Sequence, residues 1–305
     1  MKILLTGAAG QLGSELMPLL SARGHVTATD RSKPQAAAAN WVGLDISDGG
    51  KLEIMLNRLR PSLIVNTAAY TAVDQAETDP EAAFDVNATL PGRLAHWAKR
   101  NDSHLLHYST DYVFNGRATS PYLETDIPDP QNIYGDSKLA GETAIISSGC
   151  KHVILRTSWV YSSHGKNFVL SMLALARRGL DLNIVDDQKG CPTWAHNLAL
   201  TSDTVIDKWQ QSGSDSLSGV FHYCDDASLS WYEFANTIFR LAVVAGLIDR
   251  EPTLSPVHSS GFPQPAKRPK WSVLDTQKIN RVFAIKPASF KLSLQAVIDE
   301  LVRKG

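Results

Sequence analysis

Lys2-Ile3-Leu4-Leu5-Thr6-Gly7-Ala8-Ala9-Gly10-Gln11-Leu12-Gly13 decides how this chain folds. An apolar run long enough for one buried strand stops at glycine, and a helical pattern, Gly13–Ala22, opens at the third glycine. Glycine at these positions allows a tight turn, a close backbone approach to a pyrophosphate and close packing of helix on strand. The helix start adds free N–H groups and the positive end of its dipole. Strand, glycine turn and helix in this order predict a dinucleotide-binding turn built on Gly7, Gly10, Gln11, Leu12 and Gly13. A helix entry that binds nothing has the same local sequence, so the surroundings must decide.

Outward from the turn, short apolar runs alternate with helical patterns. The expected strands are Lys2–Thr6, His25–Asp30, Trp41–Leu44, Leu63–Thr67, Leu105–Ser109 and Val153–Ser158, and the expected helices are Gly13–Ala22, Leu52–Leu59, Glu81–Lys99 and Ser137–Ser147. The runs are nearly all apolar, as in LIVN and VILR, which is the mark of strands covered on both faces. The fold class expected is α/β: a doubly wound parallel sheet, Rossmann-like, with a smaller C-terminal α/β substrate-binding region. Asp79-Pro80 marks a helix start through a capping carboxylate and a fixed φ. After Trp159 the alternation weakens, and Ser162–His164 and the Pro-, Gly- and Ser-rich stretch Ser255–Pro269 read as loops. Residues 1–160 are expected to form the dinucleotide-binding domain, rejoined by parts of 184–224, where Val220–Tyr223 reads as a returning strand. Residues 161–305 are expected to form the discontinuous substrate region.

The chain has 305 residues, 43% hydrophobic and 20% charged, with a formal net charge of −1, enough for a sizeable core without disulfides or metal. The balanced charge speaks against nucleic acid or an anionic membrane and favours a small-molecule partner. No apolar run approaches the ~20 residues that span a bilayer, and the N-terminal run is too short for a signal peptide. Cys150, Cys191 and Cys224 are widely spaced and read as reduced thiols in a cytoplasmic protein.

Asp30 closes the second strand near the ~20-residue interval at which an acidic side chain meets the adenosine ribose. Its carboxylate favours NADH, whereas Arg31 and Lys33 could neutralise the 2′-phosphate of NADPH, so both cofactors stay open. Tyr134 and Lys138 in NIYGDSKLAGE lie one turn apart on one helix face. That spacing alone is weak, and its bland alternative is a solvated helix face. It gains weight from Ser109-Thr110-Asp111 at the carboxyl end of a strand, where open α/β sheets bind ligands. Carbonyl reduction needs a proton donor at the oxygen on which charge builds. Tyr134 is the expected general acid, Lys138 the cation that lowers its pKa and anchors the ribose, and Thr110 the hydroxyl that meets the substrate oxygen.

The segments GAAGQLGSEL, PSLIVNTAAYTAVDQAE, HYSTDYVFNG, YGDSKLAGE, RTSWVY, DDQKGCPT and KRPKWSVLD, in this order, resemble the dTDP-4-dehydrorhamnose reductases of the extended short-chain dehydrogenase/reductase type. The resemblance covers most of the chain. It implies NADPH- or NADH-dependent reduction of a dTDP-sugar, dTDP-4-dehydro-6-deoxy-L-mannose, at C4 to dTDP-L-rhamnose. It places cofactor contacts at Gly10, Gln11, Leu12 and Asp30, at Asp45 and Ile46 beside the adenine, at Ala68, Ala69, Tyr70 and Thr71, and at Tyr134 and Lys138. It places substrate contacts at Thr110, Asp111 and Trp159 and gives Asn87 an ordering role. Trp159 could equally be a core residue. Gln188, Lys189 and Arg268 are candidates for the nucleotide end, Arg268 because a guanidinium matches phosphate bidentately; a solvated loop charge is the alternative. Some relatives dimerise through magnesium held by acidic side chains, one matching Glu15 and the other falling here on His196. Imidazole suits that hard cation poorly, so no metal and a monomer or weak homodimer are expected. Two rivals remain: a reductase or epimerase of another nucleotide sugar, and a non-catalytic cofactor-binding regulatory subunit.

Overall fold

A computed structural model describes residues 1–31, 40–45, 48–212 and 217–304. Its centre is a seven-stranded sheet in which every neighbouring pair is parallel. Six strands follow the expected runs: β1 (Lys2–Thr6), β2 (His25–Asp30), β3 (Trp41–Gly43), β4 (Leu63–Asn66), β5 (His104–Thr110) and β6 (Lys151–Thr157). The seventh is Gly219–His222, which pairs with β6 at the edge (Gly219 with Val153, His222 with Arg156). From that edge the order runs through β6, β5, β4, β1 and β2 to β3.

The apolar runs are explained by two cores that share each strand. Ile3, Leu5, Leu63, Val65, Leu106, Val153 and Leu155 enter one core with Leu16, Leu20 and Trp209. Leu4, Ile64, Leu105 and Ile154 enter the other, with Leu52, Leu56, Leu94, Trp97 and Ile145. Successive side chains of a strand point to opposite faces, so a strand buried on both faces can carry no polar alternation. The first core is covered by α1 (Gln11–Arg23) and the helix Ala195–Ser212; the second by α2 (Gly49–Leu59), α5 (Leu90–Arg100) and α6 (Ile133–Ser148). From β1 the chain winds through β2 to β3 on one side and then crosses back to β4 on the other, so the winding reverses at β1 and a crevice opens at its carboxyl end.

Two expectations need correction. Glu81–Lys99 is not one regular helix: after the single turn α3 (Val73–Ala76), α4 (Pro80–Phe84) passes through a π-helical turn, Asp85–Thr89, into α5. Pro91 has no N–H to give the carbonyl of Asn87 four residues earlier, so a wider turn is accommodated there. The start was legible, since the Asp79 carboxylate accepts from Ala82 N at 3.3 Å with Pro80 in the first turn. The stretch Ser255–Pro269 is not all loop, because Leu254–Val257 is a strand paired in parallel with Leu182–Val185. In a two-stranded sheet both strands are edges, and an edge tolerates Pro256.

A further apolar cluster lies beyond β6. Tyr161, Val169 and Met172 pack with Phe234, Ile238 and Phe239 and with Phe290, Leu294 and Val297, joining the helices Phe168–Arg177, Trp231–Val244 and Phe290–Lys304. No helix among the described residues is long and apolar enough to cross a membrane.

Candidate active site

The glycine turn sits in the crevice beside β1. Gly7 has φ +65°, and Gly10 N donates to Gly7 O at 3.0 Å, closing the turn. A Cβ on Gly7 would lie 2.6 Å from Ala68 N, and one on Gly13 would lie 2.3 Å from Gly7 O, so side chains are excluded where the turn meets β4 and α1. Gly10 caps α1 in an extended conformation without a side-chain hydrogen bond, so the first N–H groups of α1 carry no cap from that residue. A cradle closed to Cβ atoms, ending on a helix start, fits a dinucleotide pyrophosphate. The cleft before it holds about 770 Å³ and is lined by Gly7, Gly10, Asp30, Arg31, Asp45, Ala68, Ala69, Tyr70 and Thr71, all expected cofactor residues. Asp30 accepts from Ala9 N at 3.1 Å and Arg31 N at 2.8 Å, which fixes its carboxylate at the end of β2. Ile46 and Lys33 lie outside the described residues. The side chains of Gln11 and Leu12 turn away from the cleft: Leu12 packs on the sheet core, and Gln11 bonds to a later loop.

Thr110, Asp111, Tyr134 and Lys138 come together where β5 ends against α6. Thr110 is 5% and Asp111 2% exposed. The Thr110 hydroxyl donates to Asp111 Oδ1 at 3.0 Å and accepts from Tyr112 N at 3.2 Å. Burial pushes the Asp111 carboxyl up to about 7, while hydrogen bonds from Ser272 and Thr110 restrain the rise. Tyr134 meets the Tyr112 ring edge-on at 5.7 Å. Its phenol is pushed up to about 12 by burial, with a Thr110 hydrogen bond pulling down and the Asp111 charge pushing up. The Lys138 ammonium is engaged away from that phenol. Lys138, 2% exposed, donates to Tyr108 O at 2.6 Å and lies 3.5 Å from His107 Nε2. Burial brings it down to about 8.

Behind Lys138 runs a buried polar chain that sequence reasoning missed. His107 Nδ1 is 2.9 Å from Asn66 Nδ2, and Asn66 Oδ1 accepts from Thr6 Oγ1 at 2.6 Å, linking β5, β4 and β1 under the site. A histidine directly after the apolar pair Leu105-Leu106 of a buried strand was the available signal. Burial and the neighbouring Lys138 charge hold His107 well below the ordinary imidazole range, so it is neutral.

The π-helical turn joins the two halves. Asn87, fully buried, accepts from Tyr70 N at 2.9 Å and donates to Tyr70 O and Ser137 Oγ, each at 3.0 Å. One amide thus ties the loop after β4 to α6. A Cβ on Gly141 would lie 2.0 Å from the Asn87 carbonyl, so glycine is needed for α6 to approach this turn. The N-terminus of α6 is held by Asn132, which accepts from Gly135 N at 2.8 Å. Its body is held by the buried Glu142–Arg156 pair, with bonds of 2.9 and 2.6 Å to β6.

The remaining expected residues divide. Gln188 and Arg268 line a second cavity of about 500 Å³ with Arg117, Lys267 and Lys270. Arg268 is not a free loop charge: its guanidinium grips Asp74 bidentately at 2.9 and 2.7 Å. Lys189 is half-buried, and its backbone pairs with Ser230 and bonds to Lys270 and Ser272. Trp159, at φ +46°, stacks on Trp231 at 3.5 Å and closes over Gly190, so one face is already taken. Glu15 and His196 meet within the chain, 3.0 Å apart, and the carboxylate raises the histidine pKa.

The model of the RmlD substrate binding domain family matches residues 1–303. The dTDP-4-dehydrorhamnose reductase of Escherichia coli K12 is 37% identical over 301 residues, 99% of this chain and 98% of that protein. The chain belongs to the dTDP-4-dehydrorhamnose reductase family. Among solved structures of this family, the Clostridium acetobutylicum reductase superposes with a TM-score of 0.88 at 37% identity, covering 99% of each chain. The Bacillus anthracis reductase, solved in complex with NADP, gives 0.85 at 32% identity over 98% of this chain and 100% of that one. The chain thus belongs to a family of oxidoreductases of the extended short-chain dehydrogenase/reductase type, one solved member of which holds NADP.

Proposed function

We propose that this protein reduces the C4 ketone of dTDP-4-dehydro-6-deoxy-L-mannose to dTDP-L-rhamnose with NADPH or NADH. The observation that carries this reading is the convergence, in a member of the reductase family matched over almost all of its length, of a glycine turn closed to Cβ atoms with the buried Thr110 and Lys138 and the half-buried Tyr134. The cofactor, when bound, supplies the hydride to C4. As the carbonyl electron pair moves onto oxygen, that oxygen takes the phenolic proton of Tyr134, and the Thr110 hydroxyl, turned from Asp111, donates its hydrogen bond to it. Burial raises the phenol above its ordinary range, so it is protonated at neutral pH and keeps the proton until charge develops on the carbonyl oxygen. Lys138 is the ribose anchor. The cationic cavity lined by Arg268 and Lys267 suits the diphosphate of a nucleotide sugar, with Gln188 at its wall. Asp111 and Trp159 are assigned to the sugar.

The dinucleotide-binding domain is assigned to residues 1–160 with parts of 184–224, and the substrate region to the rest. Because Glu15 is engaged by His196, a monomer or weak homodimer fits better than a metal-bridged pair. We place the reaction in the cytoplasm, where the buried thiols Cys150, Cys191 and Cys224 stay reduced.

The test is oxidation of NADPH and NADH in the presence of the 4-keto sugar generated in situ, comparing wild type with Tyr134→Phe. Loss of ~10²–10⁴-fold in kcat in a folded variant is expected for a missing acid. A wild-type protein that binds cofactor but turns over neither mixture would overturn the assignment.

A further inference from the structure

The loop after β6 closes on the first side chain of α1. Ser162 Oγ and Asn167 Nδ2 donate to Gln11 Oε1 at 2.8 and 2.9 Å, and Gln11 Nε2 donates back to Lys166 O at 3.3 Å. Gly165, at φ +72°, lies so close that a Cβ there would be 2.9 Å from Gln11 Cγ. These contacts fix the backbone of Lys166 beside the glycine turn, and its exposed side chain lines the same cleft as Gly7, Ala9 and Gly10. Among the described residues, no carboxylate pairs with it. The carboxylates that share the cleft are Asp30 and Asp45, and its other cation, Arg31, stands at the ribose end.

A pyrophosphate brings two negative charges, whereas a helix N-terminus offers roughly half a positive one. The turn itself contributes backbone donors and no side-chain cation. We propose that Lys166 is the counter-ion of the dinucleotide pyrophosphate, delivered to the turn by a loop that Gln11 locks in place. This reading rests on the proposed dinucleotide-dependent function. It gives the Gln11 side chain a role it could not have had inside the cleft, namely holding the lysine that acts there. A lysine suits the position, since a compact charge on a flexible stem can follow either phosphate.

Binding of NADPH, NADH and ADP-ribose to wild type, Lys166→Gln and Lys166→Arg, measured by calorimetry without sugar substrate, tests it. Lys166→Gln should weaken all three ligands alike, by about tenfold, as expected for one charge-assisted contact. It should also flatten the salt dependence of Kd, and Lys166→Arg should restore most of the affinity. An unchanged melting temperature shows that the fold is intact. Equal affinities in wild type and Lys166→Gln overturn the proposal, and so does a loss confined to NADPH, which would assign the ammonium to the 2′-phosphate. If the wild-type protein binds none of the three, the dinucleotide function itself falls, an outcome distinct from wild-type binding that ignores the substitution.

Discussion

The turn after β1 and the polar cluster after β5 lie at the same end of the sheet, yet they are built on opposite principles. The turn presents backbone: Gly7, Gly10 and Gly13 carry no side chain, and its N–H groups need no buried charge. The cluster presents side chains that have been taken out of water. Ser109 Oγ is buried without a hydrogen-bond partner, Lys138 is pulled down to about 8 and Asp111 pushed up to about 7. A site made of backbone is cheap in desolvation and intolerant of added atoms. A site made of buried side chains tolerates substitution sterically but lowers stability.

The contrast can be broken first at Gly13. Gly13→Ala puts a Cβ against backbone at Gly7 and Ala8, where nothing flexible can yield. It should lower stability by about 1–3 kcal/mol and abolish measurable dinucleotide binding. A variant that still binds cofactor in calorimetry would show that the turn is not the phosphate cradle.

Next comes Lys138→Met, which should do the reverse. The folded-state pKa of Lys138 is lowered from 10.5 to about 8, so between those values the folded protein holds fewer protons than the unfolded chain. Stability therefore rises with pH through that window, and at neutral pH the full penalty of the buried charge is present. Removing it should raise stability by about 1–2 kcal/mol while activity falls. Chemical denaturation at pH 7 decides this, and a destabilised variant would mean that Lys138 is part of the scaffold.

The smallest effect is expected at Asp111. Its folded-state pKa is raised from 3.8 to about 7, so between those values the folded protein holds more protons and stability falls as pH rises. Asp111→Asn should remove that slope, gaining about 1–2 kcal/mol relative to wild type at pH 8 and little at pH 5. Parallel pH profiles for the two proteins would show that the carboxyl is better solvated than its 2% exposure suggests.

The two regions also differed in how far they could be read beforehand. The turn was legible residue by residue, because glycine spacing between a strand and a helix encodes a local backbone geometry. Tyr134 and Lys138 were legible as a pair because i,i+4 spacing on a helix is local as well. Their surroundings were not. His107 reads as one polar residue in the strand HLLHYST, and nothing in the sequence links it to Asn66 or Thr6 on other strands. Arg268 was recognised as a cation, but its partner Asp74 lies far away in the chain. The same holds for Gln11, whose place in the glycine turn suggested the cofactor and whose side chain went to Ser162 and Asn167.

Sequence alone determined the parallel sheet, the glycine turn and the face on which the Tyr134–Lys138 pair stands, since each follows from periodicity or spacing within a dozen residues. Tertiary structure alone decided which charges are desolvated, which groups hold Lys138 and Arg268, and that a loop from beyond β6 reaches the start of α1. Burial and long-range hydrogen bonding set those properties, and both depend on which distant segments the packed sheet brings together.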